Sequence, residues 1–90
     1  MANLSYDDLP EDRSEVFWEI PGVDFFDNAT EREYAQELYA DAFGFTADEY
    51  DAMGIDANSV HAAREEFFDY MGLAPEDFPW DEWREAMGYE

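Results

Sequence analysis

The sequence predicts a mainly α-helical fold, a small single-domain bundle of four to five short helices spanning residues 1–90 as one acidic domain. Two observations carry this. Apolar residues recur at spacings of three and four over several stretches, the mark of a helix with one buried stripe. And four glycines, Gly44, Gly54, Gly72 and Gly88, each follow a large apolar residue (Phe43, Met53, Met71, Met87) and precede another (Phe45, Ile55, Leu73, Tyr89). A glycine turning to positive φ past the last helical residue, with an apolar side chain folding back, is a helix stop.

In chain order, residues 10–26 permit two readings. Pro10 can open a helix that closes before Pro21-Gly22, which is the expected form. The alternative is a short β-hairpin within 15–26, with Val16–Ile20 and Val23–Phe26 as strands rich in β-branched and aromatic residues. The next helix is expected at 31–43, where Thr30 and Glu33 match a capping box and Tyr34, Ala35, Leu38, Tyr39 and Ala42 form the stripe. A second box, Thr46 with Glu49, opens a helix at 47–53. Asn58 or Ser59 caps a helix at 59–71 with Val60, Ala63, Phe67, Met71 and the adjacent Phe68 facing in. A short turn at 75–78 leads to a last helix at 79–87, opened by Pro79 and buried through Trp80, Trp83 and Met87. The similarity of 45–54 to parts of 73–88 reflects reuse of the same start and stop chemistry, not a repeat architecture.

Hydrophobic residues make up 47% and aromatics 19% of the 90 residues, enough for a compact core despite a formal net charge of −21. Twenty-five Asp and Glu face four positive side chains, Arg13, Arg32, Arg64 and Arg84, and there is no Lys. Twelve acids fall in 1–45 and thirteen in 46–90, so the charge belongs to the folded body and not to a tail. A field of this sign opposes direct contact with nucleic acid or an anionic membrane. No apolar run approaches the roughly 20 residues of a membrane span. The opening residues Met1–Asp8 lack the charge and apolar core of a signal peptide, so a cytoplasmic location is expected.

No enzyme is expected. Without cysteine there is no thiolate nucleophile, thiolate metal site or disulfide. The one histidine, His61, is placed to pair with Glu65 on a helix surface, and Ser5, Ser14 and Ser59 have no partner pattern. Asp56-Ala57-Asn58 starts like a calcium loop, but Val60, Ala62 and Phe67 occupy liganding positions. No phosphate-cradling glycine loop is present, and no cofactor or metal is expected.

The pattern of the carboxylates is the informative feature. Glu33, Glu37 and Asp41 are spaced i, i+4, i+8; Glu65 and Asp69 form a shorter row with Glu66 beside it; Asp81 and Glu85 form another; and if 10–20 is helical, Glu11, Glu15 and Glu19 make a fourth. Four helical residues rise about 6 Å, close to the phosphate spacing along a nucleic-acid strand. Each like-charged pair costs about 0.2–0.5 kcal/mol, a cost that ordinary helices relieve with Lys or Arg four residues away.

In size, absence of lysine, acidity and the rows Glu33/Glu37/Asp41 and Glu65/Glu66/Asp69, the chain resembles the small acidic inhibitors of host defence carried by phages and mobile elements: anti-CRISPR, anti-restriction and uracil-DNA glycosylase inhibitor proteins. The resemblance is one of composition, and no shared motif transfers residue roles. It implies a DNA mimic acting inside an infected bacterial host, with an anti-CRISPR directed at a type I surveillance complex the best match. The partner would be a DNA-binding protein or CRISPR effector complex with a basic groove, met by a monomer or homodimer. Two other readings remain: surface adaptation to molar salt with an unrelated function, and an adaptor for a basic protein.

Overall fold

The computed structural model describes residues 4–89 and contains five α-helices: α1, Glu11–Glu19; α2, Ala29–Phe43; α3, Ala47–Ala52; α4, Ala57–Met71; and α5, Trp80–Met87. Three single 3₁₀ turns, Tyr6–Asp8, Val23–Phe25 and Pro75–Asp77, join or precede them. The reading of the opening segment as leaderless falls partly on residues 1–3, outside the described residues.

No strand occurs among the described residues, which overturns the hairpin alternative for 15–26. The Pro10 carbonyl accepts from the amides of Arg13 and Ser14, both at 3.1 Å, and sets the first turn of α1. Val16, Phe17 and Ile20 then fall on one helical face and are all buried. A strand would have sent the adjacent Val16 and Phe17 to opposite sides. Beyond Pro21, Gly22 at φ +93° turns the chain into the 3₁₀ turn where the second strand was expected.

Two helices start earlier than their spacing predicts. The Asn28 side chain accepts from the Thr30 amide at 2.8 Å, so α2 begins at Ala29 and Thr30 lies inside it. Asp56 accepts from the Ser59 amide at 2.8 Å, displacing Asn58 and Ser59 as the cap of α4. At α3 the expected capping box is present, Thr46 and Glu49 exchanging bonds of 2.9 and 3.2 Å. Gly54, Gly72 and Gly88 take positive φ, and the following amides bond back to Tyr50, Phe68 and Arg84 at 2.9, 3.1 and 2.9 Å. Gly44 does not fit that pattern. Its φ is −75°, and it is glycine because a Cβ would lie 2.6 Å from Leu9 Cδ2 and 2.8 Å from the Ala40 backbone.

Helix α2 packs along α4, and α1 along α5. Between them Phe43 is the hub of an aromatic core: it stacks on Phe78 at 4.4 Å and meets the edges of Phe67, Phe68, Trp80 and Trp83 at 5.3–6.0 Å. Such pairs add about 0.5–1.5 kcal/mol each beyond their buried area.

The C-terminal turn of α2 ends inside this core, where Ala40 still accepts the Gly44 amide at 3.2 Å but the Ala42 and Phe43 carbonyls have no helical partner. Three other helices supply donors. The Tyr50 hydroxyl of α3 donates to the Ala40 carbonyl at 3.3 Å, Arg64 Nε of α4 to Ala42 at 3.2 Å, and Trp83 Nε1 of α5 to Phe43 at 2.7 Å. Trp83→Phe removes the indole N–H and leaves the Phe43 carbonyl unpaired, and its smaller ring leaves a gap in the core, so it is expected to cost at least about 1–3 kcal/mol in urea denaturation. Gly44→Ala is expected to cost about 1–3 kcal/mol through steric overlap, with φ itself unstrained.

Candidate binding surface

Arginine placement governs the surface. Arg13 pairs with Glu49, tying α1 to α3. An Arg32 terminal NH₂ donates to the Phe26 carbonyl at 3.0 Å, and its guanidinium lies 5.5 Å from the Trp18 ring. Arg64, besides its bond to Ala42, sits 5.3 and 5.5 Å from the Phe43 and Trp83 rings. Arg84 stands exposed in the last turn of α5, where it complements the helix dipole. Among the described residues no arginine pairs with any carboxylate of the four rows.

Ten of the eleven row carboxylates are exposed: Glu11, Glu15, Glu19, Glu33, Glu37, Glu65, Glu66, Asp69, Asp81 and Glu85. The packing gathers six of them into two bands, with Glu11, Glu65, Asp69 and Asp81 standing apart. Along the α1–α5 contact, Glu15, Glu19 and Glu85 are joined by Asp12 and Glu82 around a shallow hollow of about 320 Å³. Glu19 is held above the ordinary carboxylate range by a hydrogen bond with Glu82, by that neighbour's charge, by burial and by Glu15. Glu11 and Asp81 stand outside this hollow.

The second band runs from the first 3₁₀ turn across α2 to α4. Glu33 and Glu37 border a hollow of about 340 Å³ with Asp7, and Glu66 accepts from the Tyr34 hydroxyl at 3.3 Å. Asp41 is half-buried and accepts the Leu4 amide at 3.2 Å, fastening the N-terminal segment to α2. It therefore works as an anchor as well as a member of its row. Burial pushes its carboxyl up, the Leu4 bond opposes this, and the charges of Glu37 and Glu66 add to the rise. The packing of α2 on α4 and the Tyr34–Glu66 bond bring the acids of the two helices near one another. Glu65 is engaged by His61 Nε2 at 3.3 Å, as the i, i+4 spacing predicts.

A larger cleft of about 660 Å³ lies between α3, α4 and Tyr89, lined by Tyr50, Asp51, Asp56, His61 and Arg64 among others. Among the described residues no three His, Cys, Asp or Glu side chains are grouped to hold a metal ion, and no helix is long and apolar enough to cross a membrane.

No protein-family model, curated protein or solved structure matches the chain.

Sequence reasoning missed Asp12 and Glu82, which become part of a band only when α1 packs on α5. It also placed Tyr34 in the buried stripe of α2, whereas that ring is among the large apolar side chains that reach the surface. These are Phe25, 84% exposed, and Trp18 and Tyr34 at 41% and 43%.

The two engaged carboxylates have opposite pH behaviour. Asp41 ionises above its ordinary 3.8, so its protonation favours the folded chain fully below 3.8, and this is lost as the pH rises through the raised value. Asp41→Asn is expected to raise the unfolding midpoint at neutral pH, the gain shrinking below pH 3.8. Burial pushes Glu49 up, but hydrogen bonds from Arg13 and Thr46 outweigh it and leave the group below its ordinary 4.5. Its contribution is present above 4.5 and lost as the pH falls through the lowered value, so Glu49→Gln destabilises at neutral pH and ceases to in strong acid. Thermal melts across the acid range check both.

Proposed function

We propose that this protein is a DNA mimic that occupies the DNA-binding groove of a bacterial host-defence nucleoprotein, acting as an anti-CRISPR that blocks target-DNA binding by a type I surveillance complex. It works without catalysis, in the cytoplasm of the infected host, by steric and electrostatic occlusion. The observation that carries this is the pairing of exposed carboxylate bands with three of the four arginines, Arg13, Arg32 and Arg64, tied up in structural contacts, only Arg84 standing free on the surface. Most of the positive charge is thus held away from the bands, and one exposed arginine stands against ten exposed row carboxylates.

Dimensions agree with the reading. The molecule measures 34 Å along its longest axis, about one turn of duplex DNA. Duplex carries one charge per about 1.7 Å of axis, so a net charge of −21 matches about ten base pairs, again one turn. The target's Lys and Arg would release their bound anions on meeting the bands, an entropic gain of the kind that drives DNA binding. The individual acids contribute modestly and collectively.

The test is binding of the purified protein to a type I surveillance complex, with duplex DNA as competitor and salt as the variable. The expected result is mutual exclusion of protein and duplex, with affinity falling steeply with salt. The triple variant Glu33→Gln, Glu37→Gln, Glu66→Gln is expected to weaken binding sharply and to lower the slope of log affinity against log salt by about one per charge removed. Binding unaffected by duplex, or flat between about 50 and 500 mM salt, overturns the reading. Binding to basic proteins that duplex does not displace points to an adaptor, and a chain that folds only in high salt points to salt adaptation.

A further inference from the structure

The turn Val23–Phe25 holds Phe25 out into solvent while its neighbours are fixed inward. Val23 is fully buried, and Phe26 stacks on Tyr70 at 6.1 Å. The turn is closed by the Phe25 amide on the Gly22 carbonyl at 3.2 Å and the Phe26 amide on Val23 at 3.3 Å. Arg32 bonds the Phe26 carbonyl from α2 at 3.0 Å. Phe25 is thus 84% exposed on backbone that is held from both sides. An apolar ring presented in this way needs little further ordering to be buried by a partner.

The other two exposed large apolar side chains connect to the same turn. Trp18 lies against Arg32, the residue that fastens the turn. Tyr34 meets Tyr70 edge-on at 4.9 Å, the ring on which Phe26 stacks. Asp24 within the turn and Asp27 just beyond it are both exposed. The nearby cation, Arg32, is committed to the Phe26 carbonyl and the Trp18 ring.

We propose that Phe25 is the apolar anchor of the partner interface, and that the partner is a basic protein surface with an apolar pocket rimmed by Lys and Arg. The inference rests on the proposed function in taking the partner to be basic, and goes beyond it in assigning a contact that DNA itself would not make. Charge complementarity selects this occupant. A second copy would bring another −21 against the same acidic rim, and one ring of about 200 Å² falls far short of the roughly 1,200 Å² of a stable interface. An anionic lipid surface is repelled by the same field.

The experiment uses two peptide probes of equal charge: an amphipathic Lys/Leu helix and oligolysine, each titrated calorimetrically against the full chain. The unaltered protein is expected to bind the amphipathic probe about tenfold more tightly than oligolysine. Phe25→Ser is expected to abolish that preference, and Phe25→Leu to retain part of it, with oligolysine binding and the thermal midpoint unchanged in both. Equal binding of the amphipathic probe by Phe25→Ser and the unaltered protein overturns the proposal. So does sedimentation equilibrium showing self-association that Phe25→Ser removes, which would make the occupant a second copy. Loss of the preference in Phe25→Ser, together with failure of duplex DNA to compete at the surveillance complex, sustains the anchor and overturns the DNA-groove reading alone.

Discussion

The rest of the structure depends on how the C-terminal end of α2 is satisfied. A helix that stops inside a core leaves carbonyls facing apolar surroundings, where each unpaired group is costly. Here Ala42 and Phe43 receive donors from Arg64 and Trp83, and Ala40, already bonded by the Gly44 amide, takes a second from Tyr50, the three side chains standing on three different helices. All three donors are large side chains with a polar atom at or near the tip, so one residue fills core volume and completes a hydrogen bond. Arg64 adds a positive charge beside the negative end of the helix dipole. The same contacts fix the directions of α3, α4 and α5 about the end of α2, and with them the placement of the exposed acids on α4 and α5.

This use of arginine bears directly on the surface. Three of the four arginines are structural joints, which leaves the carboxylate bands to repel one another across α1–α5 and α2–α4. Repulsion of this kind weakens the fold, and the dense aromatic packing around Phe43 offsets it. An interior of large rings and an unrelieved acidic exterior are two halves of one balance in a chain this short.

The helices were legible because their signals are local. Stripes such as Ala35, Leu38, Tyr39 and Ala42, and stops such as Met71-Gly72-Leu73, state both the element and its buried face. Cap positions were less so: Asn28 and Asp56 compete with Thr30 and Ser59 at nearly equal propensity, and only the geometry of the incoming chain decides. Gly44 looked like the other stops, yet its reason is the approach of Leu9, residues away in sequence. The same holds for the surface. The row spacing was readable in α2 and α4, but the anchoring of Asp41 by Leu4, the addition of Asp12 and Glu82, and the choice of Phe25 over Phe26 for exposure all come from tertiary packing. Between two adjacent phenylalanines, nothing local says which one turns outward.

The packing of α1 against α5 has a consequence for how the chain is made. The first helix finds its partner in the last, and Phe78 and Trp83, which complete the surroundings of Phe43, also come late in synthesis. While the ribosome is still elongating the chain, α1 has its ties to α3 and α2 through Arg13–Glu49 and Phe17–Tyr39 but not its packing on α5, and the end of α2 lacks one of its donors. The full native packing therefore closes only after α5 has left the exit tunnel.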